Sequence, residues 1–225
     1  MKRLTALLLT AVLLLTAACA LAEDYSYGDR VYFGRYEQDN NKKNGPESIC
    51  WIVIGKEGGD LVLLSEKALA NRPFNTKSNG TTWGDSSLRK WLNKDFINEA
   101  FTAEEADAIR VTKVQDNAEH SYSEWNTNDR FSGITEDKLF CMSYLEVSRL
   151  LTRAIAACEP TAVTAKSKNK ILLEDKKYCY WWLRTSSMKN NAMMIAGDKF
   201  STAYEHQHQI CVRPAMVVDA SAVTR

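Results

Sequence analysis

The chain has 225 residues, of which 45% are hydrophobic, 25% are charged and 10% are aromatic, and its formal net charge is +1. This apolar content, without any biased tract, excludes a disordered polymer, and the presence of only four prolines and ten glycines excludes collagen and proline-rich linkers. A charge so close to zero provides no overall basic field, so we expect no nucleic-acid partner.

The amino-terminal segment is organised like a secretory signal peptide. Basic residues at 2–3 precede an uncharged apolar stretch over 4–16, and Ala-Leu-Ala at 20–22 is a small-residue cleavage site. We therefore predict a signal peptide over 1–22 and a single domain over 23–225. The protein is then exported, and we expect it to be secreted or held in the cell envelope.

Two alternatives remain for this segment. The apolar residues 4–22 are just long enough to span a bilayer as a single anchor, which takes ~20 residues. Residues 16–19 (Thr-Ala-Ala-Cys) resemble a bacterial lipobox, in which Cys19 carries the lipid, although leucine is usual where Thr16 stands. We expect contact with a membrane only through this segment.

Cleavage after residue 22 leaves an odd number of cysteines, namely Cys50, Cys141, Cys158, Cys179 and Cys211. An odd number in an exported protein requires at least one free or intermolecular thiol. All except Cys158 lie in apolar strand-like runs, which favours buried free thiols. A disulfide between Cys179 and Cys211, on neighbouring predicted strands, is the alternative.

Apolar runs predict strands in the amino-terminal part of the domain. Residues 27–36 alternate as a half-buried strand does, and 49–54 and 61–64 are apolar runs with β-branched residues. Residues 57–60 (Glu-Gly-Gly-Asp) have turn chemistry, so the two runs should form a hairpin. Residues 71–82 are polar and contain a proline, which indicates a loop.

Capping signals predict three helices in the middle of the chain. Asp85 is placed to cap the first, which begins one residue later and carries apolar residues at helical spacing. Capping boxes at 102–105 and 143–146 open the other two. We expect these two helices to end at Arg110 and at about Ala157.

The rest of the chain completes a pattern of strands, helices and strands. Residues 111–133 and 161–170 are polar and predict loops, the first long enough to be functional or mobile. Residues 178–183, 192–196 and 209–218 predict three strands. This order indicates an α+β fold, with the helices segregated from an antiparallel sheet.

Four segments carry a family resemblance. They are residues 82–93 (TWGDSSLRKWLN), 137–143 (DKLFCMS), 180–186 (YWWLRTS) and 212–215 (VRPA). In this order they resemble the bacterial DUF6273 family of exported and cell-envelope proteins, which has no established activity. The resemblance covers nearly all of the mature chain, and Cys211 departs from it, because the family commonly has glycine there.

The closing W-x-R and V-R-P strands are also similar, more distantly, to the formylglycine-generating branch of the C-type-lectin-like fold. This resemblance implies a twisted antiparallel sheet with two to three helices packed beside it, terminal strands that lie close together, and a ligand surface built from irregular loops. Formylglycine-generating enzymes bind copper through a closely spaced carboxy-terminal cysteine pair. The present sequence has no matching pair, so we do not expect oxidase activity.

Tryptophan and arginine side chains in these segments are the candidate ligand contacts. They are Trp83, Arg89, Trp125, Trp182, Arg184 and Arg213. Trp182 and Arg184 share a strand face, where an indole can stack on a sugar ring and a guanidinium can donate a bidentate hydrogen bond. The alternative is structural: Trp182 packs in the core, and the arginines bind carboxylates or loop carbonyls inside the protein.

The remaining motifs give little support to catalysis or metal binding. His206 and His208 have a spacing that zinc ligands can use on a strand, but no third ligand with diagnostic spacing follows. The sequence contains no G-x-S-x-G, no Walker loop, no G-x-G-x-x-G and no HExxH motif. We therefore predict no catalytic residue, no metal and no cofactor.

The leading hypothesis is an exported binding or surface-interaction module that recognises an extracellular glycan, peptide or protein. One alternative is an enzyme that diverged from the formylglycine-generating type, with a cofactor near Arg184 and Arg213. The other is a structural envelope protein anchored by a lipid on Cys19.

Overall fold

The computed structural model describes residues 24–115, 133–187 and 189–225. The predicted signal peptide, Cys19 and Trp125 lie outside these residues. Within them the fold is mixed α/β, with mainly antiparallel sheets and few, short helices. No helix in the described ranges has the length and apolar character needed to cross a membrane.

Most strands belong to two sheets, and four form two small ribbons. In chain order the strands are β1 (Arg30–Tyr36), β2 (Glu47–Glu57), β3 (Asp60–Ser65), β4 (Ala70–Asn71), β5 (Thr112–Gln115), β6 (Ile134–Asp137), β7 (Leu173–Glu174), β8 (Tyr178–Cys179), β9 (Trp181–Ser186), β10 (Asn191–Ala196), β11 (Lys199–Tyr204), β12 (Cys211–Val212) and β13 (Ala215–Asp219).

The helices are short segments between the strands. In chain order they are α1 (Ser87–Trp91), α2 (Ile97–Ala100), α3 (Ala103–Ala108), α4 (Tyr144–Leu150), α5 (Arg153–Ala156) and α6 (Ala162–Ala165). A π-helical turn over Leu92–Phe96 joins α1 to α2, so the two form one helical segment. A 3₁₀ turn at Ala220–Ala222 follows the last strand.

The first sheet has the strand order β1-β2-β3-β13, and every neighbouring pair is antiparallel. Strands β2 and β3 pair as far as Glu57 opposite Asp60, which confirms the predicted hairpin. The Tyr32 N–H in β1 donates to the Thr224 carbonyl oxygen at 2.6 Å. The amino- and carboxy-terminal segments of the domain therefore lie side by side, as the resemblance implies.

Gly34 allows β1 to pass close to the helical segment. The pairing of β1 with β2 shifts register between Tyr32 and Arg35, and Gly34 has a φ of +71° there. A Cβ at this position would lie 2.5 Å from Phe101 Cε1 and 2.8 Å from the Ala100 carbonyl oxygen. Only glycine fits both the backbone conformation and the space.

The second sheet has the order β11-β10-β9-β12-β4, and every residue of β9 is buried. Strand β12 runs parallel to β9, with Cys211 opposite Trp181, so this sheet is not purely antiparallel as predicted. Strand β11 was not predicted, because its sequence, KFSTAY, lacks an apolar run. It pairs with β10 over the full length of both strands.

The caps of the helices test the sequence predictions directly. Both predicted capping boxes are present: the hydroxyls of Thr102 and Ser143 each accept the N–H three residues later at 3.2 Å. The prediction for Asp85 is wrong by one position. Ser86 caps α1, and its hydroxyl accepts the Arg89 N–H at 3.1 Å.

Threonine caps also explain two errors in helix extent. The helix predicted over 143–157 ends at Leu150, because Leu151 is extended, and Thr152 then caps the separate helix α5. The predicted loop 161–170 contains α6, which Thr161 caps. In both places the threonine hydroxyl binds a backbone N–H three residues later and starts a new helical turn.

Four fully buried tryptophans lie in the core that both sheets and the helical segment share. Each indole N–H has an acceptor, which removes the cost of burying an unpaired donor. The bonds run from Trp51 to the Phe33 carbonyl at 2.8 Å, from Trp83 to the Asp137 carboxylate at 2.9 Å, from Trp181 to the Ala156 carbonyl at 3.0 Å and from Trp182 to the Arg72 carbonyl at 2.8 Å.

Candidate functional site

Trp83 and Arg89 meet at one buried carboxylate. Asp137, whose side chain is 1% exposed, accepts the Arg89 Nε–H at 2.6 Å and the Trp83 indole N–H at 2.9 Å. It also accepts the Thr135 hydroxyl at 2.7 Å. Asp137 thus links the start of α1 to β6, and both predicted ligand contacts are occupied by an internal partner.

Arg184 is also held inside the protein. Its guanidinium donates to the carbonyl oxygens of Gln115 at 2.7 Å and Cys141 at 2.8 Å, and it forms a bidentate ion pair with Glu146. The same Glu146 carboxylate accepts the Ser143 N–H in the capping box of α4. One glutamate therefore neutralises a buried cation and fixes a helix start.

Arg213 is held against Trp181 in the same way. Its guanidinium is 5.1 Å from the centre of that indole ring and donates to the carbonyl oxygens of Ser65 at 2.9 Å and Ile155 at 2.6 Å. Its side chain is almost fully buried. Backbone dipoles and a ring face hold this charge, which ties β3 to α5.

Trp83 and Trp182 are connected through a third ring. Phe74 lies 6.2 Å from Trp83 and 5.9 Å from Trp182 between ring centres, and all three side chains are fully buried. Trp182 therefore packs in the core, and these rings are not open to solvent. The Trp182 indole bond to the Arg72 carbonyl nevertheless supports a chain segment that lines an open cleft.

That cleft, the Tyr36–Arg72 cleft, has a volume of about 560 Å³. It lies between the end of β1, the chain after β4, the helix α2 and the turn before β12. Six lining side chains supply its chemistry, namely Tyr36, Glu37, Lys42, Arg72, Glu99 and His208. A cleft of this size, with aromatic and polar groups together, is typical of a small-ligand site.

Arg72 and Tyr36 are held in place by rings from the helical segment. The Arg72 guanidinium lies 4.3 Å from the centre of the Trp91 ring, and the side chain is exposed. Tyr36 meets Phe96 edge-on, with ring centres 5.0 Å apart. A stacked guanidinium keeps its donors free for a ligand while losing little conformational freedom on binding.

Burial keeps the Tyr36 phenol protonated to a higher pH than usual. It raises the pKa of the phenol to about 12, the Glu99 carboxylate adds to the rise, and the Arg72 cation opposes it. Tyr36 is therefore a neutral hydroxyl at pH 7 and can both donate and accept a hydrogen bond. The charge of the lining is balanced, because it contains two carboxylates, Glu37 and Glu99, and two cations, Lys42 and Arg72.

An acidic cluster lies beside the cleft. Oxygens of Glu37, Asp39 and Glu47 all lie within 4.8 Å of one another, and among the described residues no other set of ligands has this spacing. Glu47 Oε2 accepts the N–H groups of Gln38 at 2.7 Å and Asp39 at 3.2 Å. Its Oε1 is buried and has no hydrogen-bond partner within the described part of the chain. The carboxylates thus organise their own loop.

The two histidines singled out from the sequence diverge. His206 stacks on Tyr204, with ring centres 5.8 Å apart, whereas His208 lines the cleft. Neither belongs to the acidic cluster. Of the six predicted contacts, Trp83, Arg89, Trp182, Arg184 and Arg213 form internal bonds, and Trp125 lies outside the described residues.

Apart from His208, which the sequence analysis considered as a zinc ligand, sequence reasoning did not identify the residues of the cleft. The sequence pattern placed Tyr36 at the end of a predicted strand and Arg72 in a predicted polar loop. Glu99 belonged to no recognised motif. The cleft forms where segments that are distant in sequence come together. The spacing of residues within one segment does not predict such a contact. The one usable signal in the sequence was Pro73-Phe74, an apolar pair inside a polar loop, and the structure buries both residues.

Sequence comparisons give one family match. A family model described as "Domain of unknown function (DUF6273)" matches residues 58–220, which is more than half of the chain. No curated protein and no solved structure matches the chain.

Proposed function

The chain belongs to the DUF6273 family, and we propose that it is an exported bacterial binding module, without catalytic activity, whose ligand occupies the Tyr36–Arg72 cleft. The signal-peptide pattern over 1–22 supports export. The W-x-R and V-R-P strands support a C-type-lectin-like architecture. The observation that carries the binding role is the exposed Arg72, stacked on Trp91 at the edge of an open cleft.

The ligand that fits this lining best is a glycan. A sugar presents hydroxyl groups that both donate and accept, and these match the mixture of Arg72 donors, Glu99 acceptors and the neutral Tyr36 hydroxyl. The balanced charge of the lining disfavours a strongly anionic or cationic ligand. Tyr36 also provides part of an apolar ring face, against which a sugar can pack.

The test is a glycan array probed with the purified protein, followed by titration of the hits. Arg72→Ala should weaken binding by about tenfold or more, since a charge-assisted hydrogen bond contributes roughly 1.5–3 kcal/mol. Tyr36→Phe should weaken it less. The matched controls are Arg149→Ala and Tyr204→Phe, two exposed side chains away from the cleft, which should bind like the wild type.

The outcomes separate the parts of this proposal. Equal effects of Arg72→Ala and Arg149→Ala, with both variants folded by circular dichroism, would remove the cleft as the site. Hits on a peptide library with no glycan hit would overturn the ligand class. Absence of binding in both screens would overturn the binding function itself.

The two alternative functions, a divergent enzyme and a lipid-anchored envelope protein, are tested separately. A divergent enzyme would need a cofactor near Arg184 and Arg213, but both guanidinium groups are already engaged by internal acceptors. Metal analysis of the purified protein decides that case. A lipid anchor on Cys19 is decided by mass spectrometry of the mature amino terminus, where a first residue of Glu23 excludes lipidation.

A further inference from the structure

Three cysteines from distant parts of the chain converge in the core. Cys158 follows α5, Cys179 ends β8 and Cys211 begins β12, and all three are 0% exposed. The Cys179 thiol lies close enough to both other thiols for their charges to interact, so it is the central member. In the structure these cysteines are free thiols, as are Cys50 and Cys141.

The backbone distinguishes the two neighbours of Cys179. Its N–H donates to the Cys158 carbonyl oxygen at 2.8 Å. Two residues that a backbone N–H···O=C bond joins directly have Cα atoms about 5–6 Å apart, which is within the range that a disulfide spans. Cys211 lies opposite Trp181, two positions beyond Cys179. Such diagonal neighbours are roughly 7–8 Å apart, at the limit for a bridge without backbone movement.

We propose that Cys158 and Cys179 form a disulfide in the exported protein, and that Cys211 remains beside it as a free thiol. The bridge forms by exchange with a disulfide oxidant, such as oxidised glutathione or a dithiol oxidase. One protein thiolate attacks the oxidant and releases its first thiol, and the second thiolate displaces its other half. Two protein thiols lose two electrons and two protons, and the oxidant becomes two thiols.

Burial determines when this reaction occurs. Desolvation raises the pKa of the Cys158 thiol well above its ordinary value, so the folded protein holds almost none of the reactive thiolate at neutral pH. Exchange therefore takes place before the core closes, in the oxidising compartment that export provides. The compartment rests on the proposed function, whereas the choice of partner rests only on the geometry. Once formed, the bridge is shielded from reductants.

The test is a disulfide map of the full chain, refolded in a buffer of reduced and oxidised glutathione. The sample is quenched in acid, alkylated in denaturant and digested with trypsin, which places Cys158 and Cys179 in different peptides, 154–166 and 178–184. We expect these two peptides to be cross-linked, and Cys211 and Cys141 to be alkylated. The bridged form should also melt about 5–10 °C above the reduced form.

Variants make the partner choice falsifiable. Cys211→Ser should leave the cross-link unchanged, Cys179→Ser should abolish it, and Cys141→Ser is the control with a buried thiol outside the trio. A dominant link between Cys179 and Cys211 overturns the proposal, as does full alkylation of all three thiols after wild-type refolding. Because the wild-type map requires no ligand, its result is independent of whether the cleft binds a glycan.

Discussion

Replacing Asp137 by alanine should lower the free energy of unfolding by about 2–4 kcal/mol. The carboxylate holds three donors at the junction of α1 and β6, from Trp83, Arg89 and Thr135. Alanine leaves these donors in place but removes their acceptor. The loss of stability then depends on whether each donor can hydrogen-bond to water or to another acceptor instead.

The three donors do not contribute equally. The Trp83 indole is 0% exposed, so its N–H would be buried without a partner, which costs about 1–3 kcal/mol. The Arg89 side chain is 26% exposed and keeps its bond to the Gly84 carbonyl at 3.0 Å, so losing the pair costs about 1 kcal/mol. The Thr135 hydroxyl is half-buried and can turn, so it adds little.

Urea denaturation measures this loss of stability. The variant should unfold at a lower urea concentration, while the dependence of the free energy of unfolding on urea concentration stays unchanged. Asp107→Ala is the matched control, because that carboxylate is 88% exposed and should change stability by less than about 0.5 kcal/mol. Trp83→Phe removes the indole donor, so the double variant with Asp137→Ala should lose less than the sum of the two single losses. A loss below about 1 kcal/mol for Asp137→Ala, or strict additivity, would refute the account of a shared buried acceptor.

Three further predictions concern other single positions. Glu146→Ala should lower stability by about 3–5 kcal/mol, read from the thermal midpoint, because it leaves the Arg184 cation buried without its carboxylate; a change below 1 kcal/mol would contradict this. When the protein is titrated with alkali and tyrosinate absorbance is followed at 295 nm, Tyr36 should ionise with a pKa of about 12. Because folding raises that pKa, stability should fall as the pH rises from about 10 toward 12, and Tyr36→Phe should make this fall smaller. Gly34→Ala should destabilise the protein by more than about 2 kcal/mol in urea, because its Cβ meets Phe101 at a positive φ; a neutral result would mean that the bulge relaxes.

Features that depend on neighbouring residues could be predicted from the sequence. The hairpin turn at 57–60 and the capping boxes at Thr102 and Ser143 are all present. Each is decided by chemistry within about four residues, so a local pattern contains the information. The one-residue error at Asp85 has the same origin, because Ser86 is an equally good cap and the sequence does not rank the two.

Features that depend on distant residues could not be predicted in this way. Strand alternation predicts that Trp182 and Arg184 share one face, but it does not say what covers either side chain, and the pairing of β9 with β10 shifts register between Trp182 and Ser186. The cover comes from elsewhere: the Arg72 carbonyl, the Gln115 carbonyl and the Glu146 carboxylate. The Tyr36–Arg72 cleft was missed for the same reason, since it is formed by chain segments that are far apart in sequence.

The position of β13 has a consequence for how the protein folds. Its pairing with β3 joins Leu64 to Ala215, near opposite ends of the domain, and Phe140 bridges to Ala215 as well. The first sheet therefore stays open at one edge until the last strand has been synthesised. Contacts this distant in sequence slow the search for the native state, because a long loop must close before they stabilise it. The first sheet should accordingly be completed only after β13 has been synthesised, and the cysteines stay accessible until the core around it closes.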